Sequence, residues 1–522
     1  MASIFARTTS GLTREISSLE ALLFTVVAMA PCTAFLYGVW GAAFYPGVDN
    51  GTAVLICIPI IVVIGLFYAL YSSSMPRTGG DYVWTSRVIH PAIGFATVFF
   101  VMFILIAWTG TPGPYVITYS LGPLLSYYGY QSLATFLLSP VGLFLFGTGM
   151  ILIWAVTVAT GTRSMIKGLW IGVGMQFLST IVYVVVLLYV GHAGFVANFN
   201  AMSGWNYDQA LAAITAAGYP TGFTTSGTLL GIVDQLLSFT GFNLAVYIAG
   251  EVKTVKKTSV ISIVGGSILF ALWLYVVYEV TYGVMGAQFV NGMAYLSING
   301  GSAYKLSSAV FSPAFFNLLF IFAAGGNQPL IWIVNIGYMF LIFANLTYVF
   351  AAVRMMFSFS FDRILPKAFA RLDRRYNAPY VALVAVWISC MLSLALWEFT
   401  PFMSYFAYVV PGWFTMIGIV AISGVVFPFR RKDIFEKSPP IVTKKVAGLP
   451  VISWLGGASF ALCVWIVYAG FQPAISGALN PGYVGLTFGV FILGLIIYGI
   501  AAAYRSRSGI PLAMTFREVP PE

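Results

Sequence analysis

The chain has 522 residues, of which 60% are hydrophobic, 17% aromatic and 8% charged, with a mean hydropathy of +0.92. A soluble domain carries about 25% charged residues, so this composition excludes an ordinary soluble fold and predicts an all-α polytopic membrane protein. The net charge of +10 calls for no nucleic-acid partner, because short basic loops serve as topology signals and contact anionic membrane lipids.

Twelve apolar runs are near the roughly 20 residues needed to cross a bilayer core. In chain order they are Leu19–Ala42, Thr52–Ser74, Ala92–Ile117, Pro140–Thr160, Gly168–Val190, Leu229–Gly250, Ser259–Val284, Pro329–Phe357, Tyr380–Glu398, Phe402–Phe427, Val451–Phe471 and Tyr483–Ala503. With twelve spans and both termini on one side, 24 of the 25 Lys and Arg residues share that side, and only Lys305 lies opposite. This positive-inside pattern predicts cytoplasmic termini; the expected place is a cell membrane, as a multi-pass protein, and the expected source a prokaryote. Counting Leu306–Gly325 as a further span would put Arg354 to Arg375 outside, so that stretch is expected to lie across the outer mouth or re-enter it.

The expected organisation is a cytoplasmic tail (1–18), helices 1–5 (19–190), an external loop (191–228), helices 6–10 (229–427), a cytoplasmic loop (428–450), helices 11–12 (451–503) and a cytoplasmic tail (504–522). The apolar run after the first tail is longer than a signal-peptide core, so the first span is expected to be retained. Cys32, Cys57, Cys390 and Cys463 all fall within spans and read as free thiols. Asn50-Gly51-Thr52 fits a glycosylation sequon on an outer loop, a short and weak pattern.

Two spans at matching positions carry a helix breaker near the middle: Ala30-Pro31 in the first and Gly241 in the sixth, within Asp234–Lys253. Five apart, they cross in opposite directions, and a pair of interrupted helices in two oppositely oriented halves points to a midplane transport site. The first half of span 1 ends near Ala30 with spare carbonyls, and its second half begins with N–H groups at Cys32 to Ala34. In span 6 the halves meet between Phe239 and Phe242. Helix N-termini favour anions and C-termini cations, so one cavity offers poles for a carboxylate and an ammonium, as a zwitterionic amino acid requires.

Ser74–Phe95 reads SMPRTGGDYVWTSRVIHPAIGF. With its Met75-Pro76-Arg77, Gly79-Gly80-Asp81-Tyr82, Arg87 and His90-Pro91, it resembles the signature between helices 2 and 3 of the amino acid, polyamine and organocation transporter superfamily. Phe239-Thr240-Gly241-Phe242 leading to Glu251-Val252-Lys253, and Phe361-Asp362-Arg363 through Asn377-Ala378-Pro379, resemble its sixth helix and the loop after its eighth. The resemblance covers roughly Leu19 to Val426. It implies ten helices in two inverted repeats of five, with helices 11 and 12 outside that core, and a substrate held by broken helices 1 and 6. Ala30-Pro31-Cys32-Thr33 stands where the family commonly has a Gly-Ser-Gly type break. The fifth span has Gln176 as its main polar residue and no interior lysine, so lysine-based coupling is not expected.

The substrate-binding candidates are therefore Ala30, Pro31, Cys32, Thr33, Ala34, Trp108, Phe239, Thr240, Gly241, Phe242 and Asn243, acting chiefly through backbone groups; Tyr405 is a further lining candidate. Intramembrane acids are costly and mark functional positions, which singles out Asp234 and Glu279 as coupling candidates. Vestibule, helix-cap or interfacial placement is the alternative for both. Glu251 is a gating candidate with Arg77 or Arg87 as partner, or a solvated helix-end charge. Asn345 and Thr347 could offer oxygens to sodium or serve packing.

No phosphate-binding loop, zinc helix or catalytic cluster is present, and neither an enzyme nor a cofactor or metal is expected. The reading is a secondary transporter of amino acids working by alternating access as a monomer or homodimer. It would be ion-coupled, with a proton favoured over sodium, or an exchanger. A polyamine or nucleobase transporter and a binding-only sensor are the alternatives.

Overall fold

The computed structural model describes residues 11–401, 409–476, 480–509 and 512–519; Arg7 and Tyr405 lie outside the described residues. Among the described residues, apart from one two-stranded hairpin at Lys445–Pro450, the regular structure is helical. Among the described residues, eleven helices are long and apolar enough to cross a membrane, from Ser18–Phe44 to Val484–Arg507. They coincide with eleven of the twelve predicted runs. The other, Leu229–Gly250, is divided between a 14-residue α-helix and a 3-10 helix.

The principal helices are α1 (Ser18–Met29), α2 (Ala34–Phe44), α3 (Asn50–Ser74), α4 (Asp81–Val88), α5 (Pro91–Trp108), α6 (Pro140–Ala159), α7 (Thr162–Met202), α8 (Thr225–Ser238), α9 (Gly266–Thr281), α10 (Ala287–Asn299), α11 (Phe316–Ala323), α12 (Gln328–Met339), α13 (Ala344–Phe361), α14 (Tyr380–Phe399), α15 (Val409–Arg430), α16 (Val451–Gly470) and α17 (Pro481–Arg507). Their starts follow local chemistry. Ser17 opens α1 with a capping box: its hydroxyl accepts from Glu20 N–H at 3.3 Å, and its own N–H donates to the Glu20 carboxylate at 2.7 Å. His90, Ser139 and Asn480 cap α5, α6 and α17, each with proline at the first helical position.

The apolar face of each helix is divided between neighbours and surroundings. The window of α1–α2 is 94% buried inside the protein, whereas that of Val484–Arg507 is only 17% buried, so the first span is central and the last peripheral. In the middle of the bundle α1 packs against α7, α9 and α13. At the periphery, α15 packs on α16 and α17 on α5.

The fifth and seventh spans are followed by breaks at Gly191 (φ 62°, ψ 178°) and Gly286 (φ 89°), and the segments beyond them, up to Met202 and Ala287–Asn299, are separate helices. Within Leu306–Gly325, α11 has eight buried residues; at 1.5 Å per residue it is too short to cross. Asn50 cannot be a glycosylation acceptor in this fold. It is fully buried in the first turn of α3, and its amide donates to the Gly38 carbonyl at 3.2 Å and to the Tyr282 hydroxyl at 3.0 Å.

The chain ahead of α1 is also tied down. Ile16 N–H donates to the Glu251 carbonyl at 2.9 Å, and Lys253 N–H donates to the Ile16 carbonyl at 3.0 Å, a single parallel bridge between Ile16 and Val252. Arg163 at the start of α7 pairs with Glu15 at 3.0 Å and Glu20 at 3.3 Å.

Candidate functional site

Four apolar runs leave α-helical geometry around one cavity. Between α1 and α2, Ala30 adopts a left-handed conformation (φ 54°, ψ 88°) and Pro31–Thr33 forms a 3-10 turn. After α8 the chain turns through Phe239–Asn243 and continues as the 3-10 helix Leu244–Glu251. After α5, the Thr109-Gly110-Thr111-Pro112 stretch leads into a π-helical segment, Gly113–Leu121. Between α12 and α13 lies the 3-10 turn Phe340–Phe343. The enclosed space is about 40 Å³, with Ala30, Thr33, Trp108, Thr111, Ser238, Thr240, Ala344, Asn345 and Tyr348 among its lining residues.

The two central interruptions pack directly on each other. Gly241 has φ +104°, and a Cβ there would lie 2.9 Å from the Ala28 carbonyl oxygen near the end of α1. Only glycine combines that backbone with that approach. The Ala28 carbonyl accepts from the Tyr348 hydroxyl at 2.9 Å. On the other side of the break, Cys32 N–H donates to the Gln176 side-chain carbonyl on α7 at 3.2 Å. Asn345 donates to the Trp108 carbonyl at 3.2 Å and so joins the breaks after α5 and before α13. Groups released by the broken helices are thus met by side chains from neighbouring helices, as a membrane interior requires.

Two hydroxyls in the wall are not satisfied in this way. Thr33 Oγ1 and Ser238 Oγ are buried without a hydrogen-bond partner. Most of the remaining wall is apolar or aromatic, including Met29, Leu237, Leu341, Tyr37 and Tyr115, and among the described residues no charged side chain lines it.

Of the sequence-predicted binding residues, Ala30, Thr33, Trp108 and Thr240 line the cavity. Pro31, Cys32 and Ala34 are buried in the turn behind it. Phe239 points instead to Phe270 (ring centroids 5.3 Å apart) and Phe242 to Tyr68 (6.1 Å). Asn243 is buried with its side-chain oxygen unpartnered. Tyr37, Tyr115, Ser238 and Tyr348 were not anticipated. The Gly- and Pro-rich stretch after Trp108 was a legible breaker signal; Phe340-Leu341-Ile342-Phe343 has none. Thr347 hydroxyl bonds the Ala344 carbonyl at 2.6 Å.

The charged candidates separate into two groups. Asp234 lies one helical turn before Ser238 on α8, with one carboxylate oxygen buried and unpartnered. Beside it, Gln235 donates to the Asn50 side-chain oxygen at 3.0 Å and to Tyr278 at 3.2 Å. Glu279 is exposed and lies over Gly51 at the start of α3, away from the cavity.

At the end expected to be cytoplasmic, Glu251 pairs with neither Arg77 nor Arg87. Its partner is Arg354 on α13, with N–O distances of 2.5 and 3.1 Å, and Thr162 adds a 2.6 Å hydrogen bond. Arg87 is instead bidentate with Asp362, at 2.7 Å for each bond, and Tyr82 donates to the same carboxylate at 2.7 Å. Arg77 donates to the Pro76 carbonyl at 3.1 Å. The motif-like loop fits closely here: Gly80 has φ +47°, and a Cβ on it would run into Val246 of the 3-10 helix. Asp81, next in sequence and outside the spans, is 1% exposed; burial pushes its carboxyl up to about 7, against the Tyr68 hydroxyl bonded at 3.3 Å.

A polytopic helical membrane protein with a small cavity between interrupted helices, without a charged lining among the described residues, is the class that this fold and site define. The chain belongs to the amino acid permease family, whose model matches residues 17–501. It is also similar to the branched-chain amino acid permease BcaP of Lactococcus lactis subsp. cremoris (strain MG1363), with 23% identity over 414 residues, covering 77% of this chain and 78% of that protein. Family membership supports amino acid transport across a membrane, and points to a transporter rather than an enzyme.

Proposed function

We propose that the protein carries neutral amino acids across the cell membrane by alternating access, the substrate lying between the interruptions of spans 1 and 6. The observation that carries this reading is the cavity wall, which combines broken-helix backbone and free hydroxyls with apolar side chains and no charge. Such a wall suits a zwitterion with an uncharged side chain. A cationic or anionic side chain would have no counter-charge there, and a polyamine would have no acid. Met29, Leu237 and Leu341 favour an apolar side chain, in keeping with the Lactococcus relative being a branched-chain amino acid permease.

In this reading there are twelve spans with cytoplasmic termini, the first ten forming two inverted repeats of five. At about 40 Å³ the cavity has room for only a few waters, so entry of an amino acid requires its walls to part. Asp234, one turn from Ser238, is our candidate for a coupling proton, and the Glu251–Arg354 pair for the inner gate. Exchange without a coupling ion is the competing mode.

The test is uptake of radiolabelled leucine, lysine and glutamate into proteoliposomes holding the purified protein, with and without an imposed proton gradient, beside a Gly241→Leu variant. We expect leucine to accumulate, lysine and glutamate to be excluded, and Gly241→Leu to abolish uptake while still folding. Preferred uptake of lysine or glutamate would overturn the neutral-substrate assignment. Normal uptake by a folded Gly241→Leu protein would remove the interrupted helices from the mechanism.

A further inference from the structure

A second, larger space lies on the outside of the bundle between α7 and α9. It is a crevice of about 340 Å³, walled by residues between Phe177 and Val185 on one helix and between Leu269 and Val276 on the other. Its lining is apolar except for Thr180, whose hydroxyl is already engaged by Trp273 Nε1 at 2.9 Å. Ile181, Leu272 and Val276 are exposed at its mouth. Both walls belong to candidate membrane spans, so those side chains meet hydrocarbon rather than water.

The crevice is open on its outer side, so what fills its apolar lining is what lies against the bundle. No free polar group here would hold water, and no charge would hold a headgroup. A void of this size forfeits dispersion contacts along its whole lining unless something apolar fills it. The solvent that reaches its mouth is the hydrocarbon of the bilayer itself.

We propose that this crevice is a binding site for an acyl chain of a membrane phospholipid, held longer than the lipids around it. Its position gives the occupant a structural role. Trp273 in the crevice wall donates to Thr180, Thr180 donates to the Gln176 carbonyl at 2.9 Å, and the Gln176 side chain receives Cys32 N–H. A chain seated there fills the space directly behind the interruption of the first span. The inference depends on the membrane-spanning fold and not on the transport reading.

The experiment reconstitutes the full chain in nanodiscs containing a phospholipid with a photoactivatable group midway along one acyl chain. Unlabelled lipid is added in excess before illumination, and the cross-linked peptides are mapped by mass spectrometry. We expect label retained against this chase to concentrate on Phe177–Val185 and Leu269–Val276, and to be lost in Leu272→Trp and in the milder Val276→Phe, either of which fills the mouth. Label spread evenly over exposed helices such as α6 and removed by the chase would overturn the proposal. So would retained label unchanged in a folded filling variant, or shielding of both segments by cross-linking to a second copy of the chain.

Discussion

Arg354 and Glu251 form an ion pair with almost no access to solvent: their side chains are 2% and 1% exposed, and the closest N–O distance is 2.5 Å. The pair ties α13 to the 3-10 half of span 6, with Thr162 of α7 as a third member. Removing one partner strands the other charge, at a cost of about 3–5 kcal/mol, whereas replacing both by apolar groups of similar size is often tolerated. Arg354→Met should therefore lower the melting temperature strongly in detergent, and Glu251→Leu with Arg354→Met should recover much of the loss. A single variant that melts like the parent would show the pair to be dispensable.

Asp81 gives a pH dependence outside the spans. Its carboxyl is held up to about 7 in the fold by burial, against about 3.9 in an unfolded chain. A carboxyl with a raised folded value is most compatible with the fold when protonated, and stability is lost as pH rises from about 4 to about 7. Asp81→Asn should remove that component. Thermal melts of the two proteins at pH 5 and pH 8 should differ more at pH 8, with the variant the more stable; a gap independent of pH would refute the assignment.

The unpartnered hydroxyls of Ser238 and Thr33 predict opposite effects on folding and on uptake. A buried polar group without a partner costs about 1–3 kcal/mol. Ser238→Ala and Thr33→Val should keep or raise the melting temperature while raising the KM for substrate, because each removes a group available to the ligand. Loss of stability with unchanged KM would place these hydroxyls in packing alone.

Tyr348→Phe tests the support of the first interruption. It deletes the hydroxyl that meets the Ala28 carbonyl, a bond with a net value of about 0.5–1.5 kcal/mol. A modest fall in melting temperature with a larger fall in kcat for uptake is expected, since the same carbonyl faces Gly241. Equal uptake by variant and parent would exclude that support as a requirement.

Much of this architecture could be read from the residues. Pro31 and Gly241 mark breaks because one lacks an N–H and the other tolerates left-handed backbone, and both effects act within a few residues. The length of the apolar runs is equally local. Tyr348 was out of reach because nothing near it in sequence differs from ordinary span residues; it matters through the Ala28 carbonyl, on another helix. The partner of Glu251 was misjudged for the same reason. Arg77 and Arg87 were the expected cations, but a buried carboxylate pairs with whichever cation the fold brings beside it, and that was Arg354, 103 positions away. The 3-10 turn Phe340–Phe343 carries no breaker, so its departure from the α-helix comes from packing around the cavity.

The bridge between Ile16 and Val252 yokes the segment before the first span to the tail of the sixth. Neither half-helix can swing away on that side while its backbone bonds to the other persist, so the two interruptions are mechanically paired at their ends as well as at Gly241. In the alternating-access cycle proposed above, opening at that end would be a joint event of the two spans rather than a motion of either alone.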